Sequence, residues 1–236
     1  MRSHSRALRV LSIAILIAVS GCVKLARESP RLQLYVLGGG SADAPPPATA
    51  GSPAARGAFR VGLRRNEVSS YLSVPAVLMR RGTNELVVSE FHRWGGDLEQ
   101  SINRAVGAYL ERSPRIRSVD IAPWTARARH DVLVQLHITR FEGILADSTA
   151  TDGRVHVIAG WDLVRPLDGS VLLRGITDDR GGAFRVGDYI GLVSGLDAAL
   201  SRVARDIGAC LARFPNDSTP PASCASVSTG TNERGR

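Results

Sequence analysis

The chain is poor in the groups that carry chemistry. Its 236 residues include three cysteines and five histidines, and aromatic residues make up 5% of it. No histidine stands in a His-x-His or His-Glu-x-x-His pattern, the spacings that bring two imidazoles to one metal ion. His130 and His137 are seven apart, an odd step that faces them to opposite sides of a strand, and His92 and His156 are isolated. No serine lies in Gly-x-Ser-x-Gly; Val193-Ser194-Gly195 falls inside a helical pattern, and Asp178-Asp179 reads as a solvated turn. Gly38-Gly39-Gly40 is followed by neither Gly-Lys-Ser/Thr nor a helix, so it is not a phosphate loop. No catalytic residue, metal ligand or cofactor is expected. Nucleic acid is not an expected partner, because no basic cluster interleaves with aromatics. No apolar run reaches the ~20 residues of a bilayer span.

A shorter apolar run is present. Arg2, Arg6 and Arg9 precede residues 10–19, and no acidic residue occurs before Glu28. The run ends in Val19-Ser20-Gly21-Cys22. An aliphatic residue, two small residues and a cysteine after a basic and then apolar leader resembles the lipobox of bacterial lipoproteins. The resemblance implies removal of residues 1–21 as a signal peptide and lipidation of Cys22. An ordinary secretory leader with a coincidental cysteine is the other reading. Two or three acyl chains anchor a protein firmly where one is marginal. Val23 in place of aspartate favours the outer membrane by the sorting rule of enteric-type bacteria.

After cleavage about 215 residues remain, enough for one well-filled domain with flexible ends. The precursor carries a net charge of +8 and the mature chain about +5. That surplus reads as a solvated surface or, more sharply, as contact with anionic lipid headgroups. Cys210 and Cys224 form an even pair once Cys22 is lipidated, so a disulfide between them is expected in an oxidising compartment. A buried free thiol at Cys210 and an idle one at Cys224 is the alternative.

Residues 22–31 read as a tether. Residues 32–37 alternate as a strand, and residues 38–57, rich in Gly, Ala, Pro and Ser, read as a flexible insertion. Strands follow at 59–63, 76–80 and 85–89, the last two a hairpin around the turn 81–84. Asp97 caps a first helix, with Gln100 placed to complete a capping box, and Leu98, Ile102, Ala105, Val106 and Tyr109 share one face. Ser113-Pro114 stops it. Residues 116–121 read as a strand. Residues 131–141, 153–164 and 171–177 read as a three-stranded meander, with a turn at Pro166-Leu167-Asp168-Gly169. The last helix starts near Asp188, and Tyr189, Val193, Leu196, Leu200, Val203 and Ile207 form its apolar stripe. Residues 213–236 read as a disordered tail. The expected fold is α+β, an antiparallel or mixed β-sheet packed against two amphipathic helices within residues 32–212.

Residues 68–98 carry a recognisable pattern. Tyr71-Leu72, Pro75, an aliphatic pair, Arg80, Asn84-Glu85-Leu86, Phe91-His92-Arg93-Trp94 and Leu98 stand in an order that resembles the ABC-type transport auxiliary lipoprotein family, which includes the PqiC-like intermembrane transport lipoproteins. Trp161 ahead of Asp168-Gly169, Gly187-Asp188-Tyr189, Leu192-Val193 and Ala198-Ala199-Leu200 extend the resemblance, as does Tyr35, so that it covers about residues 32–212. Ser73-Val74 and Gly95-Gly96-Asp97 depart from the family's wording. The resemblance implies a non-enzymatic lipoprotein of an intermembrane lipid transport system. Its implied partners are an ABC transporter and an MCE-type (mammalian cell entry) protein, its implied place is the periplasmic face of the outer membrane, and it leaves room for a homo-oligomer.

Tyr71, Leu72, Pro75, Arg80 and Trp94 are the candidate partner-docking residues. Each has a plainer reading beside it. Tyr71, Leu72 and Pro75 would fix a turn onto the core, Arg80 would pair with a carboxylate across the hairpin, and Trp94 would be a packed anchor. An envelope scaffolding lipoprotein, a cell-wall synthase activator or pilotin-like protein, uses the same anchor and a similar small domain. An envelope hydrolase would need a nucleophile and base that the chain does not offer.

Overall fold

The computed structural model describes residues 31–38, 57, 59–125, 127–214 and 224. The chain divides into two units, Met1–Leu32 and Gln33–Arg236, and the fold is that of the second. Cys22 lies outside the described residues, as do the insertion apart from Gly38 and Gly57 and most of the tail. Among the described residues no helix is long and apolar enough to cross a membrane.

The elements in chain order are β1 (Gln33–Tyr35), β2 (Phe59–Leu63), β3 (Glu67–Val68), β4 (Ala76–Arg81), β5 (Glu85–Trp94), α1 (Leu98–Leu110), β6 (Ile116–Ile121), β7 (Val132–Leu145), β8 (Asp152–Val164), β9 (Val171–Asp179), β10 (Ala183–Arg185) and α2 (Tyr189–Ala212). The strands form one mixed sheet, and the fold is α+β.

β7 is its spine. Along one edge it pairs antiparallel with β8, which pairs in turn with β9 and β10. Along the other edge it pairs in parallel with three successive pieces of one segment. Val61 faces Val132, Glu67 faces His137, and Met79 faces Gly143. β6 extends the sheet beside β2, and β5 then β1 extend it beside β4.

The alternation of β7 explains both its length and its irregularity. Val132, Val134, Leu136 and Ile138 point into the core. The register slips by one residue between Ile138 and Arg140, after which Phe141 and Leu145 are the buried positions. One extra residue reverses which parity faces inward. The strand therefore continues past residue 141, where simple alternation breaks. β8 has no such break, and Val155, Val157, Ala159, Trp161 and Leu163 all face the core. The Trp161 indole lies over Gly175 of β9, where any Cβ would overlap the ring.

Both helices cover the inward face. Asp97 caps α1 by accepting from Gln100 N–H at 2.8 Å, and Asp188 caps α2 by accepting from Gly191 N–H at 2.8 Å. Leu192, Leu196, Leu200, Val203 and Ile207 of α2 are fully buried, and each such side chain contributes about 1.5–3 kcal/mol relative to exposure. Tyr109 Oη donates to Asp197 Oδ2 at 2.6 Å and ties the two helices together. A disulfide joins Cys210 in the last turn of α2 to Cys224, with Cα atoms 5.3 Å apart. Phe214 and Cys224 are buried in the core cluster, so packing runs past residue 212.

Several boundaries differ from the sequence reading. β1 is three residues, not six, because only Gln33–Tyr35 find partners on β5. Phe91–Trp94 extends β5 instead of leading into α1, since Tyr35 and Pro75 supply ladder partners out to Trp94. Asp178 and Asp179 complete β9 and are not a turn. β3 and β10 are too short to show a period.

Candidate functional site

The segment from β2 to β4 follows one edge of β7 with a single detour. Val68 is level with Ile138 and Met79 with Gly143, so the segment spends about twice as many residues as β7 over that stretch. Ser69 N–H still donates to Ile138 O at 2.9 Å, but the next residues turn into the 3-10 helix Ser70–Leu72. Pro75 has no N–H to offer a ladder and closes the detour, while its carbonyl accepts from Trp94 N–H at 2.7 Å.

The detour splits the candidate residues between inside and outside. Leu72 is 1% exposed and Trp94 is 6% exposed with its ring 5.9 Å from that of Phe141. Both belong to the core, and their expected place at a docking surface is corrected by their burial. Pro75 is exposed. Tyr71 stays half-buried at the surface, its hydroxyl donating to Thr139 O at 3.3 Å and its ring 5.5 Å from the Arg80 guanidinium.

Arg80 is committed within the fold. Its Nε donates to Glu142 Oε1 at 2.6 Å and its Nη2 to Glu142 Oε2 at 3.1 Å. The Glu142 side chain is 0% exposed, and Arg140 Nη1 approaches it at 3.8 Å. This two-point fork is the strongest geometry a guanidinium makes with a carboxylate. Its hydrogen bond to Glu142 raises Arg80 further above its ordinary range, and burial, with the Glu142 charge nearby, raises the Tyr71 hydroxyl. Arg80 pairs with β7, not with a carboxylate of its own hairpin.

Glu142 marks the outer face of the sheet, opposite the helices. His156 is directly across from it on β8. His156 Nε2 lies 2.8 Å from Asp178 Oδ1, and Arg180 reaches the same carboxylate at 3.3 Å. Burial lowers the His156 pKa below its ordinary value of 6.5 despite the pull of Asp178. The ring is then neutral near pH 7, and because a carboxylate only accepts, its Nε2–H donates. Further along the face His137 stands between Glu67 at 3.1 Å and Asp162 at 3.5 Å, and Arg174 reaches Asp162 at 3.6 Å.

Aliphatic side chains stud the same face. Leu86 is opposite Arg80 and Val88 opposite Leu78 in the β4–β5 pairing, and Val88 is 56% exposed. Ile176, opposite Gly160, is 59% exposed. Apolar groups set among internally paired charges suit docking, because the charges do not have to be stripped of unpaired hydration. The sequence reading missed Val88, Ile176 and Glu142 and took Leu86 only as part of the family pattern; the hairpin register, counted from the turn at 81–84, would have placed Leu86 opposite Arg80 and Val88 next along the same face. Among the described residues no group of three His, Cys, Asp or Glu is placed to hold a metal ion.

A family model described as the ABC-type transport auxiliary lipoprotein component matches residues 41–208. No curated protein sequence matches the chain. Among solved structures, a protein from Xanthomonas campestris is similar at a TM-score of 0.55 and 15% identity, covering 76% of this chain and 90% of that one. A second, an uncharacterized protein, is similar at a TM-score of 0.54 and 14% identity, covering 76% of this chain and 98% of that one. At such identities the likeness is one of fold.

Proposed function

The chain belongs to the ABC-type transport auxiliary lipoprotein component family, and on that footing we propose that it is the non-catalytic partner of an MCE-type protein in lipid transport between the two membranes of a bacterial envelope. Its proposed anchor is a lipidated Cys22, holding the domain at the periplasmic face of the outer membrane. The proposed docking surface is the outer face around Tyr71, Pro75, Leu86 and Val88. The observation that supports it is the exposure of Val88 and Leu86 on the sheet face turned away from α1 and α2.

Two experiments test the reading. A photo-crosslinking amino acid at position 88 of the full chain, activated in cells, is expected to capture an MCE-domain protein. Capture of a cell-wall synthase or a secretin would replace the transport reading by envelope scaffolding. Metabolic labelling with a palmitate analogue is expected to mark the wild-type chain and not Cys22→Ala; equal labelling of both would remove the anchor from Cys22.

A further inference from the structure

Away from the outer face, at the end of the sheet where β7 begins, the loop after β6 and the turn between β8 and β9 border a wide-open cavity of about 850 Å³. Arg127, Arg129 and Arg165 line it together with Trp124, Leu133 and Leu167, and among the described residues no acidic side chain does.

The three arginines are not equivalent. Arg165 Nη1 lies 3.1 Å from Asp168 Oδ2, a carboxylate held at a pKa of about 2 by the Ser170 backbone N–H, the Ser170 hydroxyl and Arg165 itself. Arg127 and Arg129 are exposed and have no ion-pair partner among the described residues. His130 is committed within the fold, its Nε2 lying 2.9 Å from Asp120 Oδ2. Its ring meets Trp124 edge-on at 4.7 Å and holds the indole in the cavity wall.

The turn beside the cavity carries an apolar tip. Gly169 takes φ +71 and Asp168 accepts from Ser170 N–H, which closes Pro166-Leu167-Asp168-Gly169 tightly and leaves Leu167 92% exposed. A single exposed leucine is ordinary. Here it stands beside an indole and two unpaired guanidiniums.

We propose that this cavity binds the headgroup phosphate of an anionic phospholipid at a bilayer surface, with Arg127 and Arg129 on the phosphate, Trp124 at headgroup depth and Leu167 among the first acyl carbons. Guanidinium forks match phosphate oxygens. Tryptophan prefers the membrane–water interface, and basic residues are drawn to anionic leaflets. The volume suits a headgroup-sized ligand. An acidic peptide would use the arginines but leave Leu167 in water. The inference rests on the membrane-anchored location proposed above and not on the identity of the protein partner.

The test uses the full chain in vesicles of phosphatidylcholine, alone or mixed with phosphatidylglycerol, with bromines on the acyl chains. Flotation reads attachment. Tryptophan quenching reads the cavity, because Trp94 and Trp161 are buried in the core. Strong quenching is expected on the anionic vesicles and weak quenching without phosphatidylglycerol. The double variant R127E/R129E is expected to lose that difference while keeping its melting temperature, Leu167→Asp to weaken the quenching, and Trp124→Phe to abolish it. Vesicles that float with no quenching, or with quenching indifferent to phosphatidylglycerol, would overturn this inference alone. A chain that fails to float would overturn both it and the anchor. A Trp124 response to an acidic peptide in solution, with none to vesicles, would reassign the cavity to a protein.

Discussion

Arg80 and Glu142 lie 62 residues apart in the chain and grip each other at two points, 2.6 and 3.1 Å, on the outer face of the sheet. The carboxylate has no contact with solvent, and Tyr71 and Arg140 stand around it. The pair thus bolts β4 to β7 where their ladder resumes after the detour.

Removing Arg80 leaves the buried Glu142 carboxylate only the longer approach of Arg140 at 3.8 Å. Arg80→Met is expected to lower unfolding stability by about 3–5 kcal/mol, and Arg80→Met with Glu142→Leu to restore most of it. Urea denaturation of the three proteins checks this. A single variant within about 1 kcal/mol of wild type would mean that water reaches Glu142 in solution.

Leu72 and Val88 separate packing from docking. Leu72→Ala is expected to cost about 2–5 kcal/mol and to lower the melting temperature, whatever partner is present. Val88→Asp is expected to leave the melting temperature nearly unchanged, since 56% of the residue is already in water, and to reduce co-purification with the proposed MCE-type partner. A folded Val88→Asp variant that co-purifies at wild-type levels would move the docking surface elsewhere.

His156 gives a pH dependence of stability. Its folded pKa is lowered by burial, so the folded protein resists its protonation more than the unfolded chain does. The unfolded state then binds more protons below the ordinary value of 6.5, and stability falls as pH drops through that value toward the lowered one. His156→Gln is expected to flatten this loss between about pH 7 and pH 5. Thermal melts of both proteins across that range decide it, and parallel curves would assign the pH dependence to other groups.

The disulfide closes a short loop, Cys210 and Cys224 being 14 residues apart. Cys224→Ser is expected to cost about 2–4 kcal/mol, mainly by freeing the unfolded chain. Guanidinium unfolding with and without reductant measures it. Reductant should act on the wild type and not on the variant; equal curves for the two proteins would mean that the bridge contributes nothing.

Periodicity carried the long elements well. The stripe from Val193 to Ile207 and the inward row from Val155 to Leu163 are visible in the letters because each repeats one step several times. β3 and β10 repeat nothing. β7 was legible only as far as its irregularity. Before the slip even-numbered residues face inward, and continued alternation would drive Glu142 into the core. The slip turns it outward to Arg80, and no single-residue pattern announces that. Tyr71, Pro75 and Arg80 could be picked out in the sequence. Their separation from Leu72 and Trp94 could not, because it depends on a detour whose turn geometry is set by the neighbouring strand.

The parallel edge has a consequence for the order in which the chain is made. The partners of β2, β3 and β4 on β7 are about 70 residues downstream: Val61 with Val132, Glu67 with His137, Met79 with Gly143. A ribosome delivers the amino-terminal half first, so although β4 can close on β5 and β2 on β6, the edge these strands offer to β7 waits open until β7 has followed. β7 can meanwhile close locally on β8, its next neighbour in sequence. The late-made hairpin is therefore the template and the early-made segment is the part that needs sheltering, which gives a chain of this topology reason to depend on a chaperone between synthesis and its final place.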